Sequence, residues 1–255
     1  MQRNKWMDRA SPAACGRALR AGVVLGVILI TGCATGPNAN RQDPLEPFNR
    51  GVYKFNDAVD RAVIKPVATV YRDVLPSPIR TGVNNFFSNL QDAWSVVNSA
   101  LQFKGEAAGN NLVRFGVNTF LGLGGVLDIA SEMRIERHTE DFGQTLGYWG
   151  VGAGPYLVLP LLGPSTVRDT AALPVDSQGN LVSGISDVST RNSAIALNLL
   201  DRRSRLLQAS DLLDQVALDP YTFTRDAFLQ RRQNSVYDGY PPDDNEPAAP
   251  DSLPK

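Results

Sequence analysis

Cys33 is the residue of this chain best placed to react. It closes the run Ile30-Thr31-Gly32-Cys33, an aliphatic residue, two small ones and a thiol, directly behind an apolar stretch. That order resembles a lipobox, where a signal peptidase cuts before the cysteine and the thiol is the nucleophile for diacylglyceryl transfer. Few other side chains offer comparable chemistry. Cys15 lies in the part such a cut removes, so the mature chain has no disulfide. The single histidine, His138, sits among charges in Arg137-His138-Thr139-Glu140 and reads as a solvated loop residue. A serine nucleophile lacks its Gly-x-Ser-x-Gly elbow, because Gly163-Pro164-Ser165-Thr166-Val167 ends in valine. Zinc needs three or four protein ligands, more than one histidine and one lipidated cysteine supply. The phosphate-cradling Gly-x-x-x-x-Gly-Lys pattern is missing too. The expectation is a non-enzyme without catalytic residues, metal or cofactor. A periplasmic lipid hydrolase is the alternative that an anchored, glycine-rich apolar chain raises, and this inventory opposes it.

The residues before Cys33 complete the anchor. Arg3, Lys5, Arg9, Arg17 and Arg20 face one acid, Asp8, and an apolar run follows from Gly22 to Ile30, the layout of a secretory signal. A membrane crossing needs roughly 20 apolar residues, so this run is too short to stay as a span. Residues 1–32 therefore read as a signal peptide, and initiation at Met7 would still keep three of its basic residues. The mature chain of 223 residues is long enough for one domain with a sizeable core. Losing the signal leaves a net charge of about −5, with no basic footprint for nucleic acid. Ala34 stands where an aspartate is the usual inner-membrane retention signal, and its resemblance to sorted lipoproteins favours the outer membrane.

Periodicity sets out the elements. Residues 33–42 are a polar, Gly/Pro-bearing tether. Val52, Phe55, Val59, Ala62 and Val63 recur at helical spacing and predict an amphipathic helix that Pro66 stops. A second helix carries Ile79, Val83, Phe86, Phe87, Leu90, Trp94, Val97 and Leu101 on one face, with Pro78 in its first turn. A third runs from Glu106 to Phe120, then loosens into Leu121-Gly122-Leu123-Gly124-Gly125-Val126-Leu127. Leucine-rich patterning predicts a helix from Asn192 to Ala209 and a short turn from Asp211 to Ala217. Asp219 caps a last helix with Pro220 in first position, ending near Gly239. The best strand candidate is Leu157-Val158-Leu159. Residues 240–255, rich in Pro and Asp, bury almost nothing and read as disordered. The fold class is all-α: a single helical domain over residues 43–239.

Two stretches are too apolar for surface helices. Phe115 to Leu127 is uncharged, and runs of about 10 to 14 such residues are more often buried or re-entrant than spanning. Phe142 to Val167 is uncharged but broken by glycines and prolines. Broken helices at membrane depth survive only when packed on protein or lining a wet cavity; the core of a soluble helical domain is the other reading. Arg114 and Asp128 bracket the first stretch, with Asn118 between them. They read as channel or headgroup contacts, or as a helix-end salt bridge and caps. Arg168-Asp169 reads as a surface or N-cap pair. Gly122, Gly124 and Gly125 weaken the local helix and read as a hinge or gate.

Four blocks carry a family likeness: Asp43-Pro-Leu-Glu-Pro-Phe-Asn-Arg50; the run from Arg114 to Asp128; the run from Glu140 through Pro160 to Asp169; and Asp219-Pro-Tyr221. In order and content they resemble the MlaA (VacJ) outer-membrane lipoproteins, over nearly the whole mature chain. The resemblance implies a ring-like helical protein with re-entrant segments in the periplasmic side of the outer membrane, around an amphipathic channel. It also implies phospholipid as cargo, a porin trimer as host and a soluble periplasmic carrier (MlaC-like) as recipient. A structural, porin-associated lipoprotein without transport would show the same anchor and helices.

Overall fold

The computed structural model describes residues 42–242. Cys33, the signal at 1–32, nearly all of the tether and the tail from residue 243 lie outside them. The described chain is helical with one small hairpin, as the all-α expectation holds. Helix α1 (Glu46–Val59) passes through a π turn (Asp60–Ile64) into α2 (Lys65–Val74). Then come α3 (Ser77–Leu101), α4 (Gly105–Phe120), the short α5 (Ile129–Glu132) and α6 (Phe142–Tyr148). Strands β1 (Tyr156–Leu159) and β2 (Gly163–Thr166) pair antiparallel, Tyr156 opposite Thr166 and Leu159 opposite Gly163. Helices α7 (Val167–Gly179), α8 (Val188–Val216) and α9 (Pro220–Val236) complete the chain.

Several boundaries differ from the periodicity, each for a local reason. Pro66 does not stop the first helix. Lys65 N–H bonds back five residues to Asp60 O, and the widened π turn lets the chain carry a proline into the next α turn. α8 is one helix of 29 residues, not a helix plus a turn, because Val188 to Val216 contains neither glycine nor proline and Asp187 caps it through Thr190 N–H. α7 was not foreseen at all. Thr166 caps it by accepting from Asp169 N–H, and Pro174 inside it hides the helical signal. The predicted caps at Asp219 and Pro220 stand, with the Asp219 carboxylate accepting from Tyr221 and Thr222 N–H. The Leu157–Leu159 candidate is part of β1.

The elements touch in a closed circuit. α1 packs on β1, β2 on α7, α7 on α6, α6 on α3, α3 on α8 and α8 on α2, which returns through the π turn to α1. α4 lies along α3, and α9 closes onto α6 and β2. Among the described residues no helix is long and apolar enough to cross a membrane.

What these helices bury is inverted. Half of the predicted apolar face of α3 is outside: Ile79, Phe86, Val97 and Leu101 are exposed, Val83, Leu90 and Trp94 are half-buried and Phe87 is buried, whereas Asn89, Asp92, Ser95, Asn98 and Ser99 are all buried. α4 repeats the pattern, with Asn111, Arg114 and Asn118 at most 1% exposed while Leu112, Val113 and Phe120 face outward. A surface helix in water turns its apolar stripe inward. These two turn a polar stripe inward and leave the apolar side to whatever surrounds the protein.

Candidate functional site

Sequence reasoning singled out Arg114, Asn118 and Asp128, and the fold brings all three together between α4 and the loop after it. Arg114 Nη2 donates to both carboxylate oxygens of Asp128 at 2.8 and 2.9 Å, and its Nη1 donates to Ile135 O at 2.6 Å. Asn118 Nδ2 donates to Asp128 at 2.9 Å while its Oδ1 accepts Ala130 N–H. Asp128 also caps α5 by accepting from Ser131 N–H. Burial opposes ionisation of Asp128, but hydrogen bonds from Ser131 and Asn118 and the Arg114 charge outweigh it and hold its pKa down at about 2.

Around this triad runs a seam that sequence reasoning missed. Asp92 on α3, 2% exposed, stands 3.0 Å from Arg137 Nε and 3.6 Å from Arg114 Nε. Burial pushes its pKa up against the pull of both arginines. Farther along, Glu140 accepts from Gln102 Nε2 and Lys104 Nζ, and Thr145 donates to Asn98 Oδ1. Burial raises the Glu140 pKa despite these partners. Asp92 Oδ2, Arg114 Nε, Ser99 Oγ, Gln102 Oε1 and His138 Nε2 are buried without a hydrogen-bond partner. His138 is a loop residue as expected but half-buried rather than solvated, its backbone held by Asn111. The missed signal is present in the sequence. Asn85, Asn89, Asp92, Ser95, Ser99 and Gln102 recur every three or four residues, a polar stripe as regular as the apolar one.

The glycines after α4 form a tight turn. Gly124 N–H bonds to Thr119 O, Gly125 N–H to Asn118 O and Leu127 N–H to Gly122 O. Gly124 and Gly125 have φ of +73° and +95°, and Leu123 between Gly122 and Gly124 is itself left-handed at 55°. A Cβ on Gly125 would stand 2.6 Å from the Asn89 amide, and one on Gly122 would meet two backbone carbonyls; one on Gly124 meets open space.

Arg168 and Asp169, read as a surface or cap pair, are buried instead. Arg168 Nε donates to Asp169, and Arg232 on α9 bridges Asp169 and Asp141 with four bonds of 2.6 to 2.9 Å. The long uncharged stretch thus ends in a charge cluster that ties α6, α7 and α9 together. No sequence-local pattern announces Arg232, which lies 63 residues from Asp169.

A third feature is a cavity of about 430 Å³ between the π turn, the hairpin and α8. Ile64, Val158, Leu161, Leu162, Leu206 and Leu213 line it, together with Asp57, Asp60, Arg61, Lys65, Arg203 and Asp214. It offers apolar surface and paired charge at once. Among the described residues no group of His, Cys, Asp and Glu is arranged to hold a metal ion.

This inverted helical circuit has relatives. The model of the MlaA lipoprotein family matches residues 41–235. The intermembrane phospholipid transport system lipoprotein MlaA of Escherichia coli (strain K12) is 37% identical over 217 residues, covering 82% of this chain and 85% of its own. The Haemophilus influenzae protein of the same name is 35% identical over 229 residues, covering 85% and 89%. A solved structure, from work on the structural basis for maintenance of bacterial outer membrane lipid asymmetry, superposes with a TM-score of 0.69 at 35% identity. It covers 77% of this chain and is itself covered completely. Matched over most of its length in family, sequence and fold, the chain belongs to the MlaA lipoprotein family.

Proposed function

We propose that this chain is an outer-membrane lipoprotein, anchored through Cys33 on the periplasmic side, that takes mislocalised phospholipid from the outer leaflet. It passes the lipid inward through an amphipathic passage to a soluble periplasmic carrier while seated against a porin trimer. The relatives' names speak of intermembrane phospholipid transport. The observation that carries the reading is the inversion of α3 and α4. Apolar side chains such as Ile79, Leu112 and Phe120, each at least 52% exposed, match acyl chains outside, while polar groups fill the interior. A charged headgroup crossing hydrocarbon alone meets a large desolvation barrier, which a polar interior lowers.

Within this reading the seam cations divide their work. Arg114, 2% exposed at its side chain, positions Asp128 and the loop; Arg137, at 27%, is the more open of the two to a passing headgroup. The glycine turn at Gly122–Gly125 is the proposed gate. The test is outer-leaflet phospholipid in cells with and without the protein. Deletion should raise it and sensitise cells to detergent, and the wild-type chain should restore both, whereas unchanged lipid asymmetry would overturn the transport role. A chain that binds porin but never carries lipid would support the structural lipoprotein instead.

A further inference from the structure

The charged side of the cavity under the π turn is made of pairs, and the pairs are unequal. Asp60 and Arg203 are joined twice, Arg203 Nε to Oδ1 at 2.7 Å and Nη2 to Oδ2 at 2.8 Å, with both side chains less than a quarter exposed. Arg203 Nη1 also donates to Ser210. This is a two-pronged clamp between the π turn and α8, of the geometry that makes arginine-carboxylate pairs strong. Arg61, next to Asp60 in the same π turn, is 3.6 Å from Asp214 with side chains 59% and 39% exposed, and its Nε also donates to Asp57 at 2.9 Å. Exposed pairs of that kind separate at little cost.

Count the cavity's charges and they cancel: Asp57, Asp60 and Asp214 against Arg61, Lys65 and Arg203. An anion that enters to take a cation therefore strands an acid. A ligand carrying both a phosphate and an ammonium does not, because it brings a partner for each half of the pair it opens. Next to this pair the cavity presents Leu161, Leu162 and Leu213, a surface for acyl chain rather than for a free solute.

We propose that the Arg61–Asp214 pair is a headgroup site selective for zwitterionic phospholipid, the lipid phosphate seating on Arg61 and its ammonium on Asp214 while Asp60–Arg203 holds the helices in place. This inference rests on the transport reading and adds the class of lipid to it. The site is reversible and needs no bond made or broken. π turns recur at functional sites in helices, and here the turn places Arg61 and Asp60 on the same cavity.

The test uses full-length lipoprotein purified in detergent and incubated with isotope-labelled phosphatidylethanolamine or phosphatidylglycerol, retained lipid being counted after gel filtration. Wild type should retain the ethanolamine lipid by roughly fivefold, the ratio one half-exposed charge pair supports. Asp214→Asn, at an exposed position that the fold tolerates, should erase that ratio by raising phosphatidylglycerol retention, and Asp214→Glu should restore it. Asp60→Asn should lower thermal stability yet leave the ratio in place. Soluble glycerophosphoethanolamine should fail to displace the lipid; displacement at equal concentration would show a free zwitterion site and overturn the lipid assignment. Equal retention of both lipids, unchanged by Asp214→Asn, overturns the headgroup proposal alone. Retention of neither lipid overturns the transport reading beneath it.

Discussion

Two regions of this molecule solve burial in opposite ways. At the hairpin, Tyr156, Val158 and Tyr221 form an apolar core with Val52, Tyr53 and Phe228 packed around it. Tyr221 stands edge-on to both Tyr53 and Tyr156. Along α3 and α4 the interior is mostly asparagine, serine, aspartate and arginine, and apart from buried Phe87 the large apolar groups are exposed or half-buried. The first region is what water imposes on any chain. The second is what a chain adopts when its surroundings are as apolar as its own side chains, so that burial of hydrocarbon gains nothing and internal hydrogen bonds hold helices together. On the transport reading proposed above, one short domain carries both because its two sides meet different solvents.

The comparison breaks most sharply at Arg114. Replacing it with Leu leaves buried Asp92 and half-buried Asp128 with Arg137 as their one remaining cation, at 3.0 and 3.6 Å, and loss of one partner of a buried pair costs about 3 to 5 kcal/mol. Folded protein in detergent should fall steeply, as read by protease resistance and yield. An Arg114→Leu protein as stable as wild type would mean that the seam is not what holds α4 in place.

Gly125→Ala should come next. The added methyl meets the Asn89 side chain and the backbone sits at φ +95°, so overpacking and left-handed strain add to about 2 to 4 kcal/mol. Asn89 donates to Thr119 and belongs to the polar stripe, so the mutation strikes the seam from the loop side. The companion change Asn89→Ala should recover part of the loss in a thermal melt. Absence of any recovery would place the strain in the backbone alone.

How much of this was legible in the sequence depends on which solvent a residue faces. The cap at Asp219 and the helix-starting prolines read correctly because they act through the chain itself: Asp219 and Pro220 begin α9, and Pro78 lies in the first turn of α3. The apolar stripe of α3 read correctly as a stripe, but periodicity cannot say which side of a helix is inside; that choice belongs to the surroundings. Pro66 misled as a stop, since a π turn absorbs what a peptide would not, and the well-capped α7 carries Pro174 without breaking. The triad Arg114, Asn118 and Asp128 was legible because a loop of ten residues returns Asp128 to Asn118. The pairs Arg232–Asp169, Arg203–Asp60 and Arg225–Asp43 were not, since their partners lie 63 to 182 residues apart in sequence.

The water-like region has its own test. Tyr221 Oη donates to Asp43, which also takes bonds from Asn49 and Arg225 just where the tether enters the fold. Tyr221→Phe removes one bond to a buried charge and should cost about 1.5 to 3 kcal/mol. Because this core is of the aqueous kind, the loss should be the same in detergent micelles and in lipid vesicles. The Arg114→Leu loss should instead change with the medium that contacts α3 and α4. Equal sensitivity of both variants to the medium would erase the distinction between the two regions.

The smallest expected effect decides whether the glycine turn is a gate. Gly124 has open space where a Cβ would go, so Gly124→Ala tests backbone freedom with almost no packing change; at φ +73° it should cost about 1 kcal/mol. Leu123 offers the converse. It is 74% exposed and left-handed at φ 55°, so Leu123→Gly removes strain in the folded state while freeing the chain to move. If the turn only caps α4, the two variants should shift melting temperature slightly in opposite or compensating senses and leave outer-leaflet phospholipid at the wild-type level. If the turn moves to admit lipid, Gly124→Ala should raise outer-leaflet phospholipid at unchanged protein abundance. Leu123→Gly should then act on lipid passage as well, in the direction that greater mobility dictates. Both measurements come from the same cells, so a lipid effect that merely follows protein level is separated from one that does not. Normal asymmetry in both strains would remove the gate and leave the turn as the cap that brings Asp128 back to Arg114.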